Sequence, residues 1–140
     1  MFKLVSIFIV VSLIYTCLGI RTTDGGGDVA APHVTGSVTY LERVALPPKA
    51  VIKVQLVDVS RADAPAVALG EQIISTDGKQ VPFFFEIPFD PSKIEANHTY
   101  AVKARIEEGG RLLFINDQLY PVITRDAPIH VDMVLRSVNG

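Results

Sequence analysis

Asp58-Val59-Ser60-Arg61-Ala62-Asp63 puts two carboxylates and a hydroxyl within six residues. An envelope hydrolase or carbohydrate-active enzyme would use such groups as general acid, general base and nucleophile, given a partner and a pocket. The competing reading is local, because Asp and Ser in loops close Asx and Ser turns with their own backbone. Asp58 is drawn further toward structure: the register of Ile52, Val54 and Leu56 carries it onto an apolar face, where a carboxylate needs a cation or backbone donors. His33, His98 and His130 are too far apart for a local metal motif, and the chain has no HExxH, no glycine-rich phosphate loop after a strand and no GxSxG elbow. Asn97-His98-Thr99 matches a glycosylation sequon, which matters only in a eukaryotic secretory route. The single cysteine, Cys17, excludes an internal disulfide, a multi-cysteine zinc site and a CxxC redox centre. No cofactor is implied.

The elements that would position these residues are strands. Val34, Gly36, Val38 and Tyr40 alternate with Thr35, Ser37 and Thr39, and Ile52, Val54 and Leu56 alternate with Lys53 and Gln55. The same period of two runs through Val81 to Ile87, Tyr100 to Glu107 and Val131 to Leu135. Less regular runs at Val67 to Ser75, Arg111 to Asn116 and Tyr120 to Thr124 bring the count to seven or eight. Asp77-Gly78 and Gly109-Gly110 supply turns, and Asp90 with Pro91 opens the only candidate for a short helical turn. The expectation is an all-β fold, a single antiparallel β-sandwich or small barrel of seven to eight strands. If Phe83 and Phe85 face the core, Phe84 points outward beside Pro82. It is then either covered by another strand or loop, or a protein-binding contact on an edge strand.

The chain begins with one cation, Lys3, and an uncharged run from Leu4 to Tyr15 that ends in Thr16-Cys17-Leu18-Gly19. That is the layout of a signal peptide, residues 1–16, with Cys17 where a lipoprotein carries its lipid. Ile14-Tyr15-Thr16-Cys17 lacks the usual Gly or Ala before the cysteine, and the alternative is an ordinary peptidase cutting before Ile20. Residues 17–32, rich in Gly and Asp and without hydrophobic period, are expected to form a flexible linker, leaving 33–140 as the β domain.

A length of 140 residues is one domain's worth, and a formal charge of -2 offers nothing to attract nucleic acid. Val34-Thr35-Gly36-Ser37-Val38-Thr39-Tyr40, Val54-Gln55-Leu56-Val57-Asp58-Val59-Ser60, Ile87-Pro88-Phe89-Asp90-Pro91 and Tyr120-Pro121-Val122-Ile123-Thr124 resemble the YbaY-type envelope lipoproteins, a group that includes the YscW-type lipoprotein chaperones of type III secretion. The likeness spans Val34 to Leu135. It implies a β domain on a lipid anchor in the bacterial envelope, with Leu18 rather than Asp after the cysteine implying the outer membrane, facing the periplasm. Some relatives act as pilotins, which bind a secretin subunit and help it assemble. The resemblance therefore implies a non-enzymatic protein-binding module or assembly chaperone, and it carries over no catalytic residues. The competing classes are the hydrolase above and a small-ligand carrier, which requires an open interior.

Overall fold

The structure, a computed structural model, describes residues 31–139. Cys17, the expected signal peptide and all but the end of the expected linker lie outside those residues.

Eight strands follow one another: β1 (His33–Tyr40), β2 (Val51–Asp58), β3 (Val67–Ser75), β4 (Phe83–Pro88), β5 (Tyr100–Glu108), β6 (Arg111–Ile115), β7 (Pro121–Val122) and β8 (His130–Ser137). They form one sheet in the order β3-β2-β5-β6-β8-β1-β4, with β7 pairing the start of β5. The ends of this order, β3 and β4, lie against each other, so the sheet curls into a nearly closed barrel, one of the two architectures that the count and period of the strands leave open. Every pair is antiparallel except one. β1 and β8 run parallel, from Thr35 opposite His130 to Tyr40 opposite Leu135.

Alternation sets the interior. Val34, Val38 and Tyr40 from β1, Ile52, Val54 and Leu56 from β2, Val102, Ala104 and Ile106 from β5, and Met133 and Leu135 from β8 fill the barrel. Tyr40 stacks on Phe114 with ring centroids 4.1 Å apart. At Gly36, which shares this inward face, a methyl group would collide with the carbonyl oxygen of Val131 and lie 2.8 Å from Cζ of Phe85, so only glycine lets β8 and the Phe85 ring close over β1. Thr76 is the buried polar side chain among the described residues, and its hydroxyl donates to the Ala50 carbonyl at 2.8 Å.

The turns follow their chemistry. Gly109 and Gly110 both take positive φ, the two-residue hairpin turn whose twist matches that of the flanking strands β5 and β6. Asp77-Gly78 makes the same kind of turn, closed by the Lys79 amide on the Thr76 carbonyl at 2.8 Å. It joins β3 to β4, yet the two do not form a hairpin ladder; they are the opposite edges of the sheet. The short helical turn is one turn of 3₁₀ helix, Pro91–Lys93, and Asp90 caps it by accepting the Ser92 amide at 3.0 Å.

Candidate functional site

Three places could carry function: the Asp58 cluster, the seam between β3 and β4, and a groove at one end of the barrel.

Asp58 ends β2, and the fold brings His98 to it from the segment before β5. Asp58 Oδ1 accepts the Ser60 amide and the Ser60 hydroxyl, while Oδ2 lies 2.7 Å from His98 Nδ1. Ser60 Oγ in turn accepts the Thr99 amide at 2.9 Å. The Ser60 hydroxyl, with further help from the Ser60 amide and His98, holds the Asp58 carboxyl below the usual carboxylate range against an opposing effect of burial. A serine, a histidine and an aspartate thus meet, but not in the order that nucleophilic catalysis needs. The serine hydroxyl donates to the aspartate, and His98 Nε2, the atom that would take its proton, faces Glu95 Oε2 at 2.9 Å. Asp63 is exposed and lines no part of the pocket formed by Asp58, Ser60, Arg61 and His98. The expected pair of carboxylates is therefore not assembled, and Asp58 is satisfied locally by a turn and a cation-capable ring.

The histidines stay apart in function. His33 meets Glu86 at 3.4 Å; His130 sits between Thr35 Oγ1 and Asp132 on the outer face of β1 and β8. No group of three or more metal-ligating side chains occurs among the described residues. The barrel interior holds the side chains named above, packed as one hydrophobic cluster.

Phe84 is 74% exposed, between Phe83 at 8% and Phe85 at 3%. It stands on β4, which pairs with β1 alone and ends the sheet. Across the seam, the Glu86 amide donates to the Gln72 side-chain oxygen at 2.7 Å, and Gly70 lets Ile87 and Pro88 come close. These contacts make β3 and β4 antiparallel neighbours without a backbone ladder. By the alternation of a strand, Phe84 directs its backbone N–H and C=O to the same side as Glu86, toward the seam. Ile73, 57% exposed on the outer face of β3, stands on the other bank. The sequence reading picks out Phe84 and misses Ile73, although the doublet Ile73-Ile74 in a strand means that one of the two must face outward.

The groove, about 360 Å³, lies between Phe89, Pro91, Ile94 and Ala96 on one side and Ile123, Thr124 and Arg125 on the other. The second wall has an uncommon backbone. The Thr124 amide donates to the Val122 carbonyl at 2.8 Å around Ile123 at φ 74°, a strained γ-turn. Arg125 and Asp126 follow at φ 58° and 64°, with the Ala127 amide on the Thr124 carbonyl: a hairpin-type turn built without glycine. Strain of this kind persists where surrounding contacts over-determine it, and two are visible. Thr124 Oγ1 donates to the His98 carbonyl at 2.6 Å, and Arg125 Nη2 to the Asn97 carbonyl at 2.8 Å. No local signal in the sequence announces this loop, because the usual Asn-Gly is replaced by Arg-Asp.

The chain is similar to known proteins. The family described as "Type III secretion system lipoprotein chaperone (YscW)" matches residues 29–135. The chain is 40% identical over 97 residues to the uncharacterized lipoprotein YbaY of Escherichia coli (strain K12), covering 69% of this chain and 51% of that one. The chain thus spans about half the length of that curated relative. Among solved structures, an alternative pilotin from the type II secretion system of Vibrio cholerae matches with a TM-score of 0.74 and 51% identity, over 78% of this chain and 98% of that one.

Proposed function

We propose that this chain, which belongs to the type III secretion system lipoprotein chaperone (YscW) family, is a lipid-anchored, non-enzymatic envelope protein that binds a second envelope protein, a secretin subunit, and assists its assembly. The observation that carries this reading is the likeness to a pilotin over nearly the whole of that protein. The seam supplies a physical means. An edge strand with backbone groups turned to its free side and an outward aromatic offers hydrogen bonds for register and apolar area for affinity, the two ingredients of strand addition. The Asp58 cluster supports the absence of catalysis, since its serine and histidine are each engaged by a carboxylate and not by each other.

The anchor is Cys17, and residues 17–32 are the tether. With Leu18 after the cysteine, the protein resides at the outer membrane and faces the periplasm.

The experiment is purification of the full chain from envelope membranes, with partners identified by mass spectrometry. A secretin subunit is expected to accompany the wild type, and Cys17→Ser is expected to move the protein to the soluble envelope fraction. A wild-type chain that is already soluble and begins at Ile20 overturns the anchor. A membrane-bound wild type that brings down no secretin overturns the assigned partner.

A further inference from the structure

The outer face of the β2–β5 pair gathers cations. Side chains at every second position share a face, so Lys53 and Gln55 of β2 point away from the core that Ile52, Val54 and Leu56 enter, as do Lys103 and Arg105 of β5. The antiparallel register sets Lys53 opposite Arg105 and Gln55 opposite Lys103. Directly opposed side chains of a strand pair stand about 5 Å apart at Cβ, where like charges repel. Three of these four are cations, in a chain whose formal charge is -2.

The four side chains wall a hollow of about 240 Å³. It lies where β6 ends. Ile115 is the last residue of β6 and pairs with Arg105; beyond it the neighbour of β5 is the side chain of Asn116, whose Oδ1 accepts the Ala104 amide at 3.0 Å. Asn116 Nδ2 donates to the Gln118 carbonyl at 3.0 Å, so this wall is held from both sides. Ile115, 39% exposed, gives the hollow one apolar rim.

The charges around the hollow do not balance. Glu107 reaches Arg105 Nη2 at 2.8 Å and Lys53 Nζ at 3.9 Å, and no carboxylate lines the hollow itself. Glu71, opposite Gln55 on β3, is held by Gln55 Nε2 at 2.6 Å, outside the lining. Lys103 makes no ion pair among the described residues. Three cations against the one carboxylate that meets them leave two positive charges. Arg105 bonds Glu107 through Nη2, which leaves the other N–H donors of its fork. A phosphate monoester carries about -1.5 to -2 charges at neutral pH and three acceptor oxygens, the complement of an arginine fork beside two ammonium groups. A carboxylate would bring a single charge and leave the hollow cationic. We propose that this hollow binds a phosphate monoester, with Lys53, Lys103 and Arg105 around the phosphate and the carbon portion of the ester against Ile115.

The test involves no protein partner, so its failure leaves the docking reading untouched. Inorganic phosphate is titrated at constant ionic strength into the full chain, held in micelles of a neutral detergent, and the backbone amides are followed by NMR. Saturable shifts are expected at Lys103, Ala104, Arg105 and Asn116 but not at Thr76 or Thr124. Lys103→Gln is expected to weaken the apparent affinity about three- to fivefold and Glu107→Gln to strengthen it by a similar factor, the size of effect an exposed charge pair supports. Lys79, beside the Asp77-Gly78 turn, lines no part of the hollow; Lys79→Gln makes the same change of net charge and is expected to leave the affinity as it is. Phosphatidic acid mixed into the micelles then separates the two sources of such a phosphate. Shifts of the same amides at a lower phosphate concentration assign a lipid headgroup; amides that ignore the lipid yet saturate with inorganic phosphate assign a soluble ester. Shifts that rise without saturating, or a loss in Lys79→Gln equal to that in Lys103→Gln, overturn the site.

Discussion

The side-chain oxygen of Gln72 on β3 accepts the backbone amide of Glu86 on β4 at 2.7 Å, a single stitch where a closed barrel would have a ladder of main-chain bonds. Gln72→Ala returns that amide to water. Because the site is at the surface, the expected loss of stability is only about 0.5–1.5 kcal/mol, read from denaturant unfolding. The sharper readout is local: exchange of the Glu86 amide should quicken while Ile87, bonded within the β1–β4 pair, stays protected. Equal acceleration of both would mean that the stitch holds the whole strand.

Phe84→Ala separates docking from packing. With the ring mostly in solvent, the change in unfolding free energy should stay below about 1 kcal/mol, against the 3–5 kcal/mol typical of a buried phenylalanine. Affinity for the proposed partner should fall by roughly 1 kcal/mol or more, as for an interface anchor. Unchanged affinity would take Phe84 out of the interface. Ile73→Ala, on the other bank, is expected to behave in the same direction with a smaller effect.

Much of this is legible in the sequence. A period of two in the apolar residues places Phe83 and Phe85 inside and therefore Phe84 outside, and Asp90-Pro91 marks the one helical turn. Strand order was not legible, because periodicity says which face of a strand is buried and nothing about its neighbour. The parallel β1–β8 pair and the β3–β4 seam both depend on contacts between residues remote in sequence or joined by a turn that normally makes a hairpin. Asp58 shows a subtler limit. Extrapolating the register of Leu56 puts it on the apolar face, but Val57 is buried as well, the β2–β3 pairing slips by a residue at this point, and the carboxylate emerges half-buried against His98 and Ser60. His98 could not be paired with it from sequence, since the two lie forty residues apart and on no common motif.

Gly36→Ala should be severe. The added carbon meets a backbone oxygen of β8, which cannot swing aside as a side chain could, so β1 and β8 must separate or the Phe85 ring must leave its place. A loss of about 3 kcal/mol, the upper part of the range for overpacking, is expected by thermal or denaturant unfolding. A variant of near wild-type stability would show that the parallel pair can widen at small cost.

Asp58 should make the fold acid-sensitive. Its folded-state pKa lies below the unfolded value of 3.8, so the contribution is fully present above that value and is lost as the pH falls through the lower, folded one. Asp58→Asn removes the charge at every pH. Its stability deficit relative to the wild type should therefore be greatest above pH 3.8 and shrink in stronger acid, measured by denaturant melts across the acid range. A deficit independent of pH would assign the loss to the hydrogen bonds with Ser60 alone.

The parallel pairing of the first and last strands has a consequence for how the protein is made. Residues bonded across β1 and β8, such as Ser37 and Asp132 at 2.8 Å, are 95 positions apart in the chain. While the polypeptide is being synthesised or threaded through a membrane, β1 has β4 on one side and nothing on the other until the C-terminal segment arrives, and β6 waits for the same strand. The barrel cannot complete before its final eight-residue strand, and contacts of such long separation close slowly. A nascent chain of this design keeps one side of β1 and of β6 unpaired until β8 has followed.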